Sequence, residues 1–125
     1  MTQAQLARAS VGVGSDGLFG QILGDIGNDR ALDRCTMLTF TGLVKAKQGL
    51  LEDAEHCFSQ AASAWRAFGD PWEAAQALRD RGRCLAALDR TIEAAPPLRE
   101  AKEVFARLGA RPDLAETEEL LAALV

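Results

Sequence analysis

Leu38 to Gly69 reads LTFTGLVKAKQGLLEDAEHCFSQAASAWRAFG, and Leu78 to Gly109 reads LRDRGRCLAALDRTIEAAPPLREAKEVFARLG. The second stretch rewrites the first forty residues later. Leu38 falls on Leu78, Gly42 on Gly82, Ala46 on Ala86, Ala54 on Ala94, Ala61 on Ala101 and Gly69 on Gly109. At three more places only size is kept: Phe58 with Leu98, Trp65 with Phe105, Phe68 with Leu108. Small residues recur where helices must approach closely and large ones where the gap must be filled, the signature of a stacked helical array.

Asp70-Pro71-Trp72-Glu73 sets the clearest helix start. Asp70 is an N-cap acceptor, Pro71 has no amide to leave unpaired at the first helical position, and Glu73 completes a capping-box pattern. The helix it opens carries Ala74, Ala77, Leu78, Gly82, Leu85 and Leu88, an apolar stripe spaced by threes and fours. Asp89-Arg90-Thr91 breaks the stripe and opens a second helix, which Gly109 stops. The earlier unit follows the same plan, with helices over about residues 32–48 and 51–68 and turns at Gly49 and Gly69. Pro112 and Asp113 reopen a final helix carrying Leu114, Leu120, Leu121 and Leu124. Pro96 and Pro97 fall inside the second unit's later helix and predict a kink or a late start there, since each removes a helical hydrogen bond.

The fold class expected is therefore all-α: stacked antiparallel helical hairpins closed by a C-terminal capping helix. Residues 1–16 read as a flexible leader and 17–125 as one domain. Within it, 17–29 is a degenerate helix closed by Gly27-Asn28, 30–69 the first repeat, 70–109 the second and 110–125 the cap. Gly12, Gly14 and Gly17 spell G-x-G-x-x-G without the strand-helix-strand context that a dinucleotide site requires, so they belong to the leader.

Composition narrows the function. A formal charge of -4 and a pI near 5.0 argue against a nucleic-acid surface, which needs clustered cations. No stretch approaches the roughly 20 apolar residues of a membrane span. Three widely spaced cysteines, Cys35, Cys57 and Cys84, suit small hydrophobes in a reducing, cytoplasmic setting better than a disulfide framework. A single histidine, His56, and no tyrosine leave little for acid-base or nucleophilic chemistry, so no enzyme, metal or cofactor is expected.

Gly42, Gly49, Ala54, Phe58 and Ala61, with Gly82, Ala94, Leu98 and Ala101, resemble the tetratricopeptide repeat pattern. The forty-residue interval and the Trp-x-x-Phe-Gly-Asp-Pro and Phe-x-x-Leu-Gly-Ala-Arg-Pro junctions are similar to its long-repeat type, found in kinesin light chains and in the C-terminal arrays of large LuxR-type bacterial regulators. Lys45 stands where that pattern places a large aromatic, and Leu85 replaces it in the second unit. The resemblance implies a TPR-like α-solenoid whose first helices line a concave face.

Projected onto this chain, that face carries Thr36, Thr39, Leu43 and Lys47 from the first unit and Gln76, Arg79, Arg83 and Ala86 from the second. Thr39, Leu43, Lys47, Gln76, Arg79 and Arg83 are the candidate partner contacts. Arg79 and Arg83 lie one turn apart and can converge on a carboxylate, which fits an acidic or C-terminal peptide; the alternative is a charged face neutralised by Asp80 and neighbouring acids. Trp65 is expected in the core and Trp72 nearer the surface. The final helix, through Leu120, Leu121 and Leu124, either caps the second hairpin or meets a second copy. The expected role is an adaptor binding a peptide or protein segment, with a regulatory fragment of a LuxR-like activator or a self-associating scaffold as alternatives.

Overall fold

The computed structural model describes the backbone of residues 22–124 and side chains from residue 30 onward. The described chain holds five helices and no strand: α1 (Ile22–Lys47), α2 (Leu51–Phe68), α3 (Pro71–Ala87), α4 (Thr91–Leu108) and α5 (Arg111–Ala122). Each helix packs on the next in sequence, and α5 also touches α3. The leader, Gly12, Gly14, Gly17 and the start of the expected degenerate helix lie outside the described residues.

One turn is used four times. Gly49, Gly69, Asp89 and Gly109 take positive φ, and the following amides of Leu50, Asp70, Arg90 and Ala110 donate to the carbonyls of Lys45, Trp65, Leu85 and Phe105 at 2.8–3.0 Å. This six-to-one closure satisfies the orphan carbonyls at each helix end. It recurs every twenty residues, so the forty-residue repeat of the sequence is built from two equal half-steps.

The small residues sit where the repeat predicts close contact. A Cβ on Gly42 would stand 2.7 Å from Phe58 Cε1, and one on Gly82 would stand 2.4 Å from Leu98 Cγ. The same glycine-on-bulky-residue contact thus joins α1 to α2 and α3 to α4. Around these contacts Ala54, Ala61, Ala94 and Ala101 are fully buried, as are Phe58, Trp65, Leu85, Leu98 and Phe105.

At the α3 start Asp70 Oδ1 accepts from the Glu73 amide at 3.0 Å and Pro71 occupies the first turn. Two elements differ from the sequence expectation. α1 runs back to Ile22 without a break at Gly27-Asn28; a single Gly or Asn weakens a helix by only about 1 kcal/mol or less, too little to force an end. α4 begins at Thr91 and continues through Pro96 and Pro97 instead of starting late. The two hydrogen bonds lost would have ended on Ile92 and Glu93, both exposed, where water can replace the amides.

Candidate interaction face

α1 and α3 occupy equivalent places in the two hairpins and carry the predicted contact residues. Those residues divide into two groups. Leu43 and Lys47 on α1 are exposed and Gln76 on α3 is partly so. Thr39 and Arg79 are not: they are 6% and 9% exposed.

Thr39 corrects the sequence reading. Its hydroxyl accepts from Trp65 Nε1 at 2.8 Å and donates to the Cys35 carbonyl at 3.0 Å. The burial of Trp65 demands an acceptor for its indole N–H, and Thr39 supplies it across the α1–α2 seam. Thr36, one turn earlier, has a shielded hydroxyl with no hydrogen-bond partner.

Arg79 and Arg83 do converge on carboxylates, but the carboxylates belong to this chain. Arg79 Nη1 donates to Asp113 Oδ1 at 3.0 Å and lies 3.5 Å from Glu116. Arg83 pairs with Asp80 at 3.1 Å and with Glu116. Trp72 Nε1 donates to the other oxygen of Asp113 at 3.2 Å, so this indole is tied to α5 rather than held out as an anchor. The Arg79 guanidinium also lies 5.8 Å from the centroid of the buried Phe105 ring. Burial pushes the Asp80 carboxyl above the usual carboxylate range, even though Arg79 and Arg83 pull the other way. The result is a clamp of two arginines and three acids that fastens α5 to α3.

The sequence pattern marks Asp113 only as part of a helix start and does not single out Glu116 at all. A signal for them is nonetheless present: α5 starts forty residues after α3, and Asp113 falls in register with Glu73 and Asp33. Reading the final helix as a lone cap conceals that register. Leu120 and Leu121 of α5, and Leu124 just past its end, are half-buried against Leu85, Ala94 and Leu98, so the C-terminal leucines turn onto the second hairpin. Beside them an open cleft of about 510 Å³ is lined by Ile92, Pro96, Arg99, Leu121 and Leu124.

Exposed bulky apolar residues concentrate at the other end, on α1. Met37 is 59% and Phe40 56% exposed, with Leu43 and Val44 beside them. The buried edge of the same helix is Cys35, Thr39 and Gly42. Among the described residues no cluster of His, Cys, Asp or Glu is placed to hold a metal ion, and no helix is long and apolar enough to cross a membrane.

Repeated hairpins, a shared left-handed turn and glycine-mediated seams define a helical-repeat protein of the solenoid class. The tetratricopeptide repeat profile matches residues 33–107, more than half the chain, and the chain belongs to that family. The family is a non-catalytic repeat module whose members mediate protein–protein interactions. Nothing matches the chain among curated proteins or among solved structures.

Proposed function

We propose that this chain is a protein–protein interaction module that receives a peptide or protein segment on α1, with Leu43 and Lys47 as contacts and Gln76 and Arg83 on the neighbouring α3 at the margin. The observation that carries this reading is the exposed apolar run of Met37, Phe40, Leu43 and Val44 on a helix whose opposite side is already buried. Large apolar side chains grouped on one exposed face are what a partner covers. Lys47, exposed and without an ion-pair partner among the described residues, favours an acidic group at that end. Thr39 and Arg79 serve the reading indirectly, by fixing the helices that present these residues.

Affinity capture with wild type, Leu43→Glu/Lys47→Glu and Arg83→Glu tests it. Loss of a captured protein in the double variant, with unchanged helicity, is the expected result. Equal capture by all three would refute the α1 site.

The forty-residue interval and the Gly69-Asp70-Pro71 and Gly109-Ala110-Arg111-Pro112 turns support the finer reading as long-type repeats, and with it a regulatory role like that of the LuxR-type arrays. An adjoining reading frame with a phosphate-binding loop and a helix-turn-helix would favour that role; its absence would leave the adaptor.

A further inference from the structure

Met37, Phe40 and Val44 hold the register on α1 that Ala77, Asp80 and Cys84 hold on α3. On α3 the outer two of these positions meet the preceding helix, Ala77 in one core cluster with Ala61, Ala62 and Trp65 and Cys84 in another with Ala54 and Phe58, while Asp80 between them pairs with Arg79 and Arg83. Those contacts are close because Ala77 and Cys84 are small. On α1 the corresponding side chains are too bulky for the same close seam, so the stripe is shaped for a more widely spaced neighbour.

The stripe is also complementary to itself. Two α1 helices laid antiparallel about a two-fold axis at Phe40 oppose Phe40 to Phe40, Met37 to Leu43 and Asp33 to Lys47, each unlike pairing occurring twice. Asp33 and Lys47 are both exposed, and neither has an ion-pair partner among the described residues. A helix with its apolar centre flanked by an acid at one end and a base at the other, equally spaced, matches its own antiparallel copy and mismatches a parallel one. We propose that α1 pairs antiparallel with α1 of a second copy, forming a closed two-fold dimer whose apolar centre is Phe40 and whose ends are sealed by Asp33–Lys47 pairs. The proposal rests on the interaction-module reading and names the partner of that site.

Sedimentation equilibrium of the full chain over a range of concentrations tests it, with circular dichroism as the folding control. Wild type is expected to shift from monomer to dimer with concentration, and Phe40→Glu to weaken association by about tenfold or more, as loss of a central aromatic anchor does. Asp33→Lys and Lys47→Asp are each expected to weaken the dimer several-fold, and the double variant to recover it, which a loss of folding would not imitate. A wild type that stays monomeric at every concentration overturns the dimer. If affinity capture of another protein still depends on Leu43 and Lys47 in that case, the module reading survives without it. Failure of both removes α1 as a site. A dimer indifferent to the charge reversals overturns the antiparallel register.

Discussion

Trp65 and Thr39, twenty-six residues apart in sequence, are joined by a hydrogen bond of 2.8 Å inside the α1–α2 seam. The threonine hydroxyl accepts this hydrogen bond from the indole N–H and donates one of its own to the Cys35 carbonyl. Thr39→Val therefore strands a buried N–H and is expected to cost about 1–3 kcal/mol. Thr36→Val, which removes a shielded hydroxyl that has no partner, is expected to be neutral or slightly stabilising. Urea midpoints measured side by side decide this; equal losses for the two variants would contradict the assignment of roles.

Replacing glycine by alanine inside a helix ordinarily gains about 1 kcal/mol. At Gly82 the new methyl would meet Leu98 Cγ at 2.4 Å, and overpacking of that kind costs about 1–3 kcal/mol. Gly82→Ala is expected to lower the melting temperature, and Gly82→Ala/Leu98→Val to lose less than the two single changes added together. A rise in melting temperature for Gly82→Ala would show that the seam is looser than described.

Both glycine contacts are legible in the sequence, because the same pair, a glycine and a bulky residue sixteen positions on, is written twice. The ionic clamp is not. Asp80 is the one acid of the clamp that the sequence offers beside the arginines; Asp113 and Glu116 lie on α5, thirty-three or more residues from the arginines they bind, and exposed-looking charge at a concave position gives no sign of which element covers it.

Asp113 is the acid most committed to the clamp, taking Arg79 on one oxygen and Trp72 on the other. Asp113→Asn leaves a nearly buried guanidinium short of its counter-charge and is expected to cost toward about 3 kcal/mol. Glu100→Gln, which removes the exposed partner of Arg66, is expected to stay within about 1 kcal/mol. Chemical denaturation separates the two outcomes, and similar losses would reduce the clamp to an ordinary surface pair.

Asp89 is the only described residue other than glycine with positive φ, at 63°. The same turn elsewhere uses glycine, and a left-handed conformation costs a side-chain-bearing residue about 1–2 kcal/mol. Asp89→Gly is expected to stabilise the fold by up to about 1 kcal/mol after the extra unfolded-state entropy is counted. A drop in stability would mean that the aspartate side chain itself supports the turn.

Cys84 is buried between Phe58 and the helix seam, and burial, helped by Asp80, pushes its thiol up to about 11. Because the folded state holds this proton more tightly than the unfolded chain, the stability it contributes is complete below the ordinary thiol range. It is lost as pH rises toward 11. Alkaline denaturation midpoints are expected to fall less steeply for Cys84→Ala than for wild type. In native protein at about pH 8 a thiol reagent is expected to reach the half-buried Cys57 well before Cys35 or Cys84; three equal rates would deny the burial of the other two.

The sequence alone determined the helical hairpins, their forty-residue repeat, the turns at Gly49, Gly69, Asp89 and Gly109, and the close contacts at Gly42 and Gly82. These depend on local backbone preference and on side-chain size at fixed spacing, both of which are written residue by residue. Tertiary structure decided where the polar groups found partners. It sent Thr39 inward to meet Trp65, gave Arg79 and Arg83 to acids of α5, and left Met37, Phe40 and Val44 facing outward on α1. Helical period assigns a residue to one side of its helix, but whether that side meets protein or water depends on which other helix lies against it.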